Sequence, residues 1–313
     1  MNPGLPTEFL QRLETIVPAD WLSIVHESFL HPKSTSFRVN TLKCTPDIAR
    51  QELSAAGIAL APIEWCEHAF AVPASARASI THHPLAENGG LYVQGLSSIL
   101  ASLLLDPQPG EQVLDLAAAP GGKANHLAAL MKNMGWLSVV EPIRKRMFVL
   151  ADNLKRAGVK ISHTYLMDGR KVGDKVPGRF DRVMLDAPCS GEARFSIDEP
   201  ETFAYWSPRK INEQARKQKA LIVSAFKALR SGGRMLYCTC SFAPEENESI
   251  VDHLLQMYPD EARLVALDLP ITNWHAGLTW FGNDRWSDQL QLARRILPNE
   301  LFDGFFLARI EKN

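Results

Sequence analysis

The feature that most constrains the fold is an alternation of short strand-like runs with longer helical patterns. Helical patterns of ten residues or more separate five such runs, which lie at residues 112–116, 136–140, 162–166, 182–185 and 234–238. Strands that alternate with helices in this way build a parallel sheet with helices on both faces. The sequence therefore predicts an α/β, doubly wound domain whose last strand lies at residues 304–310.

The first part of the chain follows a different pattern and indicates a separate unit. One or two helices are predicted within residues 5–24, and an alternating strand at residues 36–42. Proline and histidine at residues 81–84 mark a boundary that no periodic pattern crosses. We therefore predict a small N-terminal α+β domain at residues 1–85 and a main domain at residues 86–313.

Local signals predict the bounds of several elements. Residues 90–94 are expected to open the main domain. Ser207, as a cap followed by a proline, begins a helix that is predicted to run to Arg230 and to end at the glycine pair that follows. Residues 260–300 carry weak signals and are expected to form strand and loop.

Reactive side chains follow two of the predicted strands. Asp186 and Cys189 come directly after the strand at residues 182–185, and Cys240 follows the strand at residues 234–238. The carboxyl ends of parallel strands meet at one edge of a sheet, where open α/β sheets bind their ligands. We therefore expect a carboxylate and two thiols to share a site at that edge.

A glycine-containing turn and three acids predict a nucleoside site at the same edge. Small residues in the turn let backbone amides and a helix N-terminus approach a ligand, although a plain tight connection explains the turn equally well. Glu141 is placed for ribose hydroxyls and Asp168 for an adenine amino group, while Asp186 ends the next strand. Any one of these acids is as readily a loop acid, but together they favour nucleoside binding. The candidate cofactor contacts in the turn are Ala117, Ala118, Ala119, Pro120, Gly121, Gly122 and Lys123.

Composition argues against several other classes of protein. The five cysteines form no regular framework and fit reduced thiols in the cytoplasm, and none has zinc-site spacing. We expect no metal, no signal peptide and no membrane span. The net charge of −1 gives no case for nucleic acid. Residues 141–182, however, hold 11 Lys or Arg against 5 Asp or Glu, which form either a phosphate footprint or a solvated face.

Taken together, the motifs resemble the NOL1/NOP2/Sun (RsmB/RsmF-like) family of S-adenosylmethionine-dependent RNA cytosine-C5 methyltransferases. The most specific match is the pair Asp-Ala-Pro-Cys-Ser-Gly at residues 186–191 and Thr-Cys-Ser at residues 239–241. The resemblance implies a Rossmann-like class I methyltransferase domain and an RNA-binding-like N-terminal domain. It also implies S-adenosylmethionine as cofactor and rRNA or tRNA as substrate. Further matches lie at residues 36–42, 90–94, 115–123, 246–248 and 303–306.

The chemistry of this family implies a role for each reactive residue. Carbon 5 of cytosine is a weak nucleophile, and a thiolate that adds to carbon 6 makes carbon 5 enamine-like. The resemblance gives this role to Cys240 and places Asp186 at ring nitrogen 3. It gives Cys189 the release step, as a base or through a bound water. The base must leave its stack to reach such a site, where Phe195 and Trp206 either stack on it or pack in the core.

The chain departs from the family at some positions. Ala117 and Ala124 replace a Cys and a Thr that members commonly carry, and residues 192–199 replace a basic, glycine-rich run beside the substrate. The chain is also expected to leave no room for the extra RNA-binding domain of many members. The other cysteines, Cys44, Cys66 and Cys238, are predicted to be small buried hydrophobes.

We therefore predict a cytoplasmic, monomeric RNA (cytosine-5-)-methyltransferase that acts on rRNA or tRNA. Two alternatives stay open. One is a non-catalytic RNA-binding or ribosome-assembly factor with the same fold, which the presence of Cys240, Cys189 and Asp186 argues against. The other is a small-molecule methyltransferase, which needs neither two thiols nor a basic helix.

Overall fold

The computed structural model describes residues 4–313, and these residues form three sheets. The first is a four-stranded sheet near the N-terminus, the second has nine strands, and the third pairs two short strands. The elements up to the end of the small sheet are α1 (Thr7–Ile16), α2 (Leu22–Leu30), β1 (Thr35–Val39), α3 (Pro46–Ala55), β2 (Ala61–Ile63), β3 (Cys66–Val72), α4 (Arg77–Thr81), α5 (Pro84–Glu87) and β4 (Leu91–Val93).

The remaining elements build the main α/β layer. They are α6 (Leu96–Leu105), β5 (Gln112–Asp115), α7 (Gly122–Leu130), β6 (Trp136–Val140), α8 (Arg144–Arg156), β7 (Ser162–Tyr165), α9 (Val172–Lys175), β8 (Phe180–Asp186), α10 (Pro208–Ala228), β9 (Leu229–Thr239), α11 (Glu248–Met257), β10 (Ala262–Val265), β11 (Trp274–Ala276), β12 (Trp280–Phe281), β13 (Asp284–Arg285), β14 (Arg294–Ile296) and β15 (Phe305–Lys312).

The small sheet has the order β2-β3-β1-β4 and is antiparallel throughout. Successive side chains of a strand point to opposite faces of the sheet, and both faces of this sheet are covered by other elements. Phe37 and Val39 of β1 share a buried cluster with Leu53 of α3. Ala71 of β3 belongs instead to the cluster that contains Leu96 of α6. One face of the sheet therefore covers its own helix, and the other packs on the main α/β layer.

The two N-terminal helices contact loops of the main layer rather than the small sheet. Phe9 of α1 and Phe29 of α2 share a buried cluster with Phe242, which follows β9. Arg12 of α1 donates to both carboxylate oxygens of Glu245, at 2.8 and 2.7 Å. These helices therefore support the loops at the carboxyl edge of the large sheet.

The large sheet has the order β11-β14-β15-β9-β8-β5-β6-β7, and β10 pairs with β15. The strands from β7 to β9 are parallel, and β15 runs antiparallel to β9. The chain moves from β5 outward to β7 and then returns to β8 on the other side of β5. Ligands of open α/β sheets bind at such a reversal, which lies here at the ends of β5 and β8. This arrangement confirms the predicted α/β, doubly wound domain.

Helices cover both faces of the large sheet. Residues of α6, α7 and α8 share one buried cluster with inward side chains of the sheet. Residues of α10 and α11 share a second cluster on the other face. Within residues 4–313, every helix is too short or too polar to span a membrane. The predicted buried state of Cys44, Cys66 and Cys238 is also confirmed.

Three predictions about the elements were wrong. Residues 90–94 contribute β4, which pairs with β1 of the small sheet, instead of opening the main layer. Helix α10 ends at Ala228 and not at Arg230, because Leu229 is extended and begins β9. The glycine pair lies inside β9, where its register shifts against β8 as in a β-bulge. Residues 260–300 contain five short strands joined by loops, so the expectation of strand and loop is confirmed. The domain division after residue 85 stays a prediction.

A buried ion pair joins α11 to β14. Arg295 Nε donates to Glu248 Oε1 at 2.7 Å, and Arg295 Nη1 donates to the Phe242 carbonyl at 2.9 Å. The side chain of Arg295 is 5% exposed and that of Glu248 is fully buried. The pair thus fixes the backbone two residues after Cys240.

We expect Arg295→Met to lower the free energy of unfolding by about 3–5 kcal/mol, because Glu248 then keeps a buried charge without its partner. Urea denaturation followed by circular dichroism measures the loss. The double variant Arg295→Met/Glu248→Leu should be more stable than the single one, because it leaves no unpaired charge. A single variant within about 1 kcal/mol of the wild type would contradict the prediction.

Candidate active site

The two reactive cysteines lie side by side at the carboxyl edge of the large sheet. Strand β8 ends at Asp186, three residues before Cys189, and β9 ends directly before Cys240. The two strands are parallel neighbours, with Asp186 opposite Cys238, so both loops leave the sheet on the same side. The Sγ atoms of Cys189 and Cys240 are 3.3 Å apart, within hydrogen-bonding distance for two thiols.

This contact makes the two thiols chemically different. The hydrogen bond from Cys189 lowers the pKa of Cys240 against the effect of burial, and the Arg194 guanidinium lowers it further. The same bond, followed by burial, raises the pKa of Cys189 well above its usual value. Cys240 is therefore the thiol that ionises, and Cys189 is the donor that keeps its proton. A thiolate is the reactive form of a cysteine, so Cys240 is the more readily activated thiol of the two.

Asp186 lies next to the thiols and is held at both oxygens. Lys123 Nζ donates to Asp186 Oδ2 at 2.7 Å and to Ser98 Oγ at 3.1 Å. Burial opposes the charge of Lys123, but the attraction of Asp186 raises its pKa above the usual value. The Cys238 thiol donates to Asp186 Oδ1 at 3.6 Å. The lysine that was predicted to contact the cofactor therefore also orients the carboxylate beside the cysteines.

A second carboxylate nearby lacks such partners. Asp115, at the end of β5, is 1% exposed, and among residues 4–313 no side chain donates a hydrogen bond to its carboxylate, although the Ala117 backbone N–H favours its ionised form. Burial raises the pKa of Asp115 to about 7, and the charge of Asp186 adds to the effect. A buried acid of this kind is suited to a cationic ligand.

Two adjoining cavities open at this edge, with volumes of about 510 and 230 Å³. Every predicted site residue except Gly121 lines one of them. Both cavities are lined by Ala117, Ala119, Pro120 and Asp186. The larger is also lined by Glu141, Asp168, Cys189 and Cys240, and the smaller by Asp115, Ala118, Gly122 and Lys123. Within residues 4–313, no cluster of three His, Cys, Asp or Glu side chains could hold a metal ion.

Gly121 serves the conformation of the turn. Its φ is +110°, in the region that favours glycine, and it caps the N-terminus of α7. A Cβ atom at this position would lie 3.1 Å from Leu150 Cδ1 of α8. The glycine therefore lets the turn bring its neighbours to the cavity walls while it packs on a helix.

The two predicted nucleoside-binding acids line the larger cavity with partners already in place. Glu141 Oε1 accepts from the Ile143 backbone N–H at 2.9 Å, and Arg146 lies 3.5 Å from the other oxygen. Asp168 pairs with Arg170 at 2.6 Å, which lowers the pKa of Asp168. These contacts fix each carboxylate at the wall without filling all its acceptor positions.

Two buried carboxylates at the site could not be assigned from the sequence. Glu192 accepts from the backbone N–H groups of Phe242 and Ala243, both at 2.9 Å. Glu246 accepts from the Ser190 backbone N–H at 2.9 Å. Glu246 lies in a matched motif, so its presence was noted. These hydrogen bonds, however, join residues about 50 positions apart in the chain, and no motif or periodicity in the sequence indicates such contacts.

The aromatic residues near the site have packing roles. Phe195 is 3% exposed, and its ring centroid lies 4.9 Å from that of Phe9. Trp206 Nε1 donates to Glu192 Oε1 at 2.8 Å. The packing alternative therefore holds for both. Tyr205, which is 87% exposed, is the aromatic residue of this segment that faces solvent.

Comparison with known proteins identifies the family. The family described as 16S rRNA methyltransferase RsmB/F matches residues 102–311. The chain belongs to the RsmB/F family of 16S rRNA methyltransferases. The family described as the N-terminal domain of 16S rRNA methyltransferase RsmF matches residues 5–95. The resemblance that the motifs indicated is thus confirmed.

Individual relatives agree with the RsmB/F assignment. Proteins named ribosomal RNA small subunit methyltransferase F are 36% identical in Vibrio parahaemolyticus and 35% identical in Escherichia coli O127:H6. These matches cover 100% and 98% of this chain but 64% and 63% of the relatives, so the chain spans less than two thirds of their length. A solved methyltransferase homolog from Pyrococcus horikoshii is 29% identical with a TM-score of 0.79, over 99% of this chain and 100% of the homolog.

We expect iodoacetamide at pH 7 to alkylate Cys240 several times faster than Cys189, because only the first has a lowered pKa. Mass spectrometry of tryptic peptides measures both rates in one sample. The buried Cys44 and Cys66 are internal controls that should stay unmodified while the protein is folded. Equal alkylation rates, or a faster rate at Cys189, would contradict the assignment of the lower pKa to Cys240.

Proposed function

We propose that this chain is an S-adenosylmethionine-dependent methyltransferase that modifies carbon 5 of a cytosine in small-subunit ribosomal RNA through a covalent adduct with Cys240. The carrying observation is the 3.3 Å contact between Cys189 and Cys240 beside Asp186. A nitrogen or oxygen acceptor has its own lone pair and needs no thiol, whereas carbon 5 needs one. Family membership favours rRNA over tRNA as the substrate.

The first step belongs to Cys240. Its thiolate forms a bond to carbon 6, and the electron pair of the 5,6 double bond moves toward carbon 5 while ring nitrogen 3 takes up a proton. Asp186, oriented by its hydrogen bond from Lys123, stabilises the protonated nitrogen. Carbon 5 is now nucleophilic enough to accept a methyl group.

The release step belongs to Cys189. After transfer, carbon 5 carries both the methyl group and its original hydrogen. Removal of that hydrogen as a proton restores the 5,6 double bond and expels the Cys240 thiolate, and nitrogen 3 returns its proton to solvent. Cys189 lies beside Cys240 and, once its own thiol proton has passed to water, acts as the base directly or through a water molecule. Besides the methylated cytosine, the reaction releases one proton for each methyl group transferred.

The residues at the cavity walls fit the cofactor. S-Adenosylmethionine supplies an electrophilic methyl group on a cationic sulfur. Asp115 offers to a cationic group a buried carboxylate to which no side chain in residues 4–313 donates a hydrogen bond. Glu141 and Asp168 offer oriented acceptors in the larger cavity for hydroxyl and amino donors. The small residues of the turn admit close backbone approach at both cavities.

A third cavity supports binding of an RNA strand. Its volume is about 550 Å³, and it lies between residues 31–36 and residues 193–199. Arg77 and Arg194 both line it, and Arg194 also lines the two cavities of the active site. Arginines here can neutralise phosphates next to the target cytosine. The exposed Tyr205 offers a surface for a neighbouring base. This placement supports the RNA-binding role predicted for the N-terminal part.

We expect Cys189→Ala to accumulate a covalent protein–RNA complex, because Cys240 still forms its adduct while release stalls. The variant is incubated with S-adenosylmethionine and unmodified small-subunit rRNA, and a denaturant-stable band is sought by electrophoresis. Sequencing of the trapped RNA then identifies the cytosine. A parallel reaction with tRNA tests the other substrate class.

The controls separate the catalytic reading from its alternatives. Cys240→Ala should transfer no methyl group, and Cys189→Ala/Cys240→Ala should give no band. If no band forms and the wild type methylates no RNA, the proposal fails in favour of an RNA-binding or ribosome-assembly factor. RNA binding that does not weaken with salt would instead favour a small-molecule methyltransferase, because phosphate contacts are salt-dependent.

We expect the affinity for S-adenosylhomocysteine, which carries an ammonium group, to fall as the pH drops through 7. Asp115 attracts a cation only when ionised, and its pKa is raised to about 7 in the free protein. The dissociation constant should therefore rise roughly tenfold per pH unit well below that value. Isothermal titration calorimetry between pH 5.5 and about 8 measures the effect. Asp115→Asn should remove the pH dependence of the affinity. Asp168→Asn should weaken binding but leave the pH dependence unchanged. A wild-type affinity that is flat over this range would contradict the assignment.

A further inference from the structure

Two buried carboxylates outside the reacting groups connect the loops that carry the two cysteines. Glu192 follows Cys189 in sequence but bonds to the loop after Cys240. Glu246 follows Cys240 in sequence but bonds to the residue after Cys189, Ser190. Each loop therefore supplies an acid that holds the other loop. We call Glu192 and Glu246 the carboxylate clamp.

The Glu192 half of the clamp is almost saturated with donors. Its Oε2 accepts from the N–H groups of Phe242 and Ala243 at 2.9 Å and from Ser241 Oγ at 3.1 Å. Its Oε1 accepts from Trp206 Nε1 at 2.8 Å. The residue is 1% exposed. Glu192 thus fixes the three residues that follow Cys240.

The Glu246 half holds the other loop in the same way. Its Oε1 accepts from the Ser190 N–H at 2.9 Å and from Gln218 Nε2 at 3.3 Å. Its Oε2 accepts from Ser190 Oγ. The hydroxyls of Ser190 and Ser241 lie 3.1 Å apart and join the two halves. The connected set therefore runs from one cysteine loop to the other.

The clamp uses charged groups where burial makes charge unfavourable. Burial raises the pKa of Glu192, and it raises that of Glu246 to about 7. Within residues 4–313, neither side chain forms an ion pair with Lys or Arg, so several N–H and O–H donors compensate the charge. Loop stability alone could be reached with ordinary apolar packing. The carboxylates additionally fix the distance between the backbones of the two loops that carry the cysteines.

We propose that Glu192 and Glu246 are positioning residues that hold the thiols of Cys189 and Cys240 within hydrogen-bonding distance. The catalytic purpose of this arrangement rests on the proposed function, whereas the thiol contact itself does not. Without the clamp, the loops separate and Cys189 no longer donates to Cys240. The nucleophile then loses the strongest influence that favours its ionised form.

The surroundings of Cys240 make the direction of the effect diagnostic. The titratable and charged groups that act on this thiol are Cys189, Arg194, Asp186 and Lys123. Those that act on Cys189 are Cys240, Glu246 and Asp186. Neutralising Glu192 removes a negative charge from the region, which by charge alone would lower the pKa of Cys240. Loss of the Cys189 hydrogen bond would raise it, so the two effects have opposite signs.

The test is Glu192→Gln, followed by iodoacetamide alkylation of Cys240 between about pH 6 and 9. The glutamine side chain has the same shape as that of glutamate. Its NH₂ group, however, replaces one oxygen and therefore faces an N–H donor. We expect the alkylation midpoint of Cys240 to rise by about one pH unit and its rate at pH 7 to fall roughly five- to tenfold. Glu201→Gln, an exposed acid of the same segment, is the matched control and should match the wild type.

A rescue variant separates positioning from general damage. Trp206→Phe removes the donor at Oε1, so in Glu192→Gln/Trp206→Phe the amide oxygen can face the backbone N–H groups without opposition. We expect this double variant to return the midpoint toward the wild-type value. Ser241→Ala is the milder second variant, since it removes one donor from Glu192, and it should shift the midpoint in the same direction by less.

The possible outcomes distinguish failure of the carboxylate clamp from failure of the proposed function. An unchanged or lowered Cys240 midpoint in the folded variants, with folding checked by thermal denaturation, overturns the clamp. The assay contains neither RNA nor cofactor, so it is independent of the proposed function. A wild type that methylates no RNA would count against that function alone. Normal RNA methylation with an unshifted midpoint in Glu192→Gln would count against the clamp alone.

Discussion

The contact between the two thiols depends on the parallel pairing of β8 with β9. Parallel neighbours lie about 4.8 Å apart, and both strands of such a pair end at the same edge of the sheet. The register sets Asp186 opposite Cys238, so the chain reaches Cys189 and Cys240 only a few residues beyond the sheet. On the other side of β9, Thr239 pairs with Phe306 of the antiparallel β15, so β9 is paired on both sides up to the residues that precede Cys240. The site is therefore a consequence of strand order and register.

The parts of this arrangement that depend on local sequence could be predicted. Strand–helix alternation gave the parallel sheet, and Asp186, Cys189 and Cys240 stood out as reactive residues at strand ends. Features that depend on distant packing could not be predicted, such as the contact of α1 and α2 with the loop at Phe242. The pairing of β4 with the small sheet and the partners of Glu192 belong to the same class. The cytoplasmic location and the monomeric state stay predictions.

Four of the carboxylates at the site differ in their partners, and these partners explain their different behaviour. Asp186 accepts a hydrogen bond from the charged side chain of Lys123 beside the thiols. Glu192 and Glu246 have neutral donors, which compensate a buried charge through several hydrogen bonds. Asp115 accepts a hydrogen bond from no side chain of the described residues. A folded protein that keeps such a group bears a desolvation penalty, which a bound cation can offset. Of the four, Asp115 is therefore the one best suited to a bound cation.

The thiol contact also orders the two halves of the proposed reaction. In the free protein, the hydrogen bond to Cys240 is the largest cause of the raised pKa of Cys189, so the second thiol holds its proton while the first ionises. When Cys240 bonds to carbon 6 it becomes a thioether, which carries no charge and accepts hydrogen bonds weakly. The largest cause of the raised pKa of Cys189 is then removed, although burial still raises it, so the thiol loses its proton to water more readily than before and can act as the base that release requires. One short contact thus suppresses the base during attack and frees it after the adduct has formed.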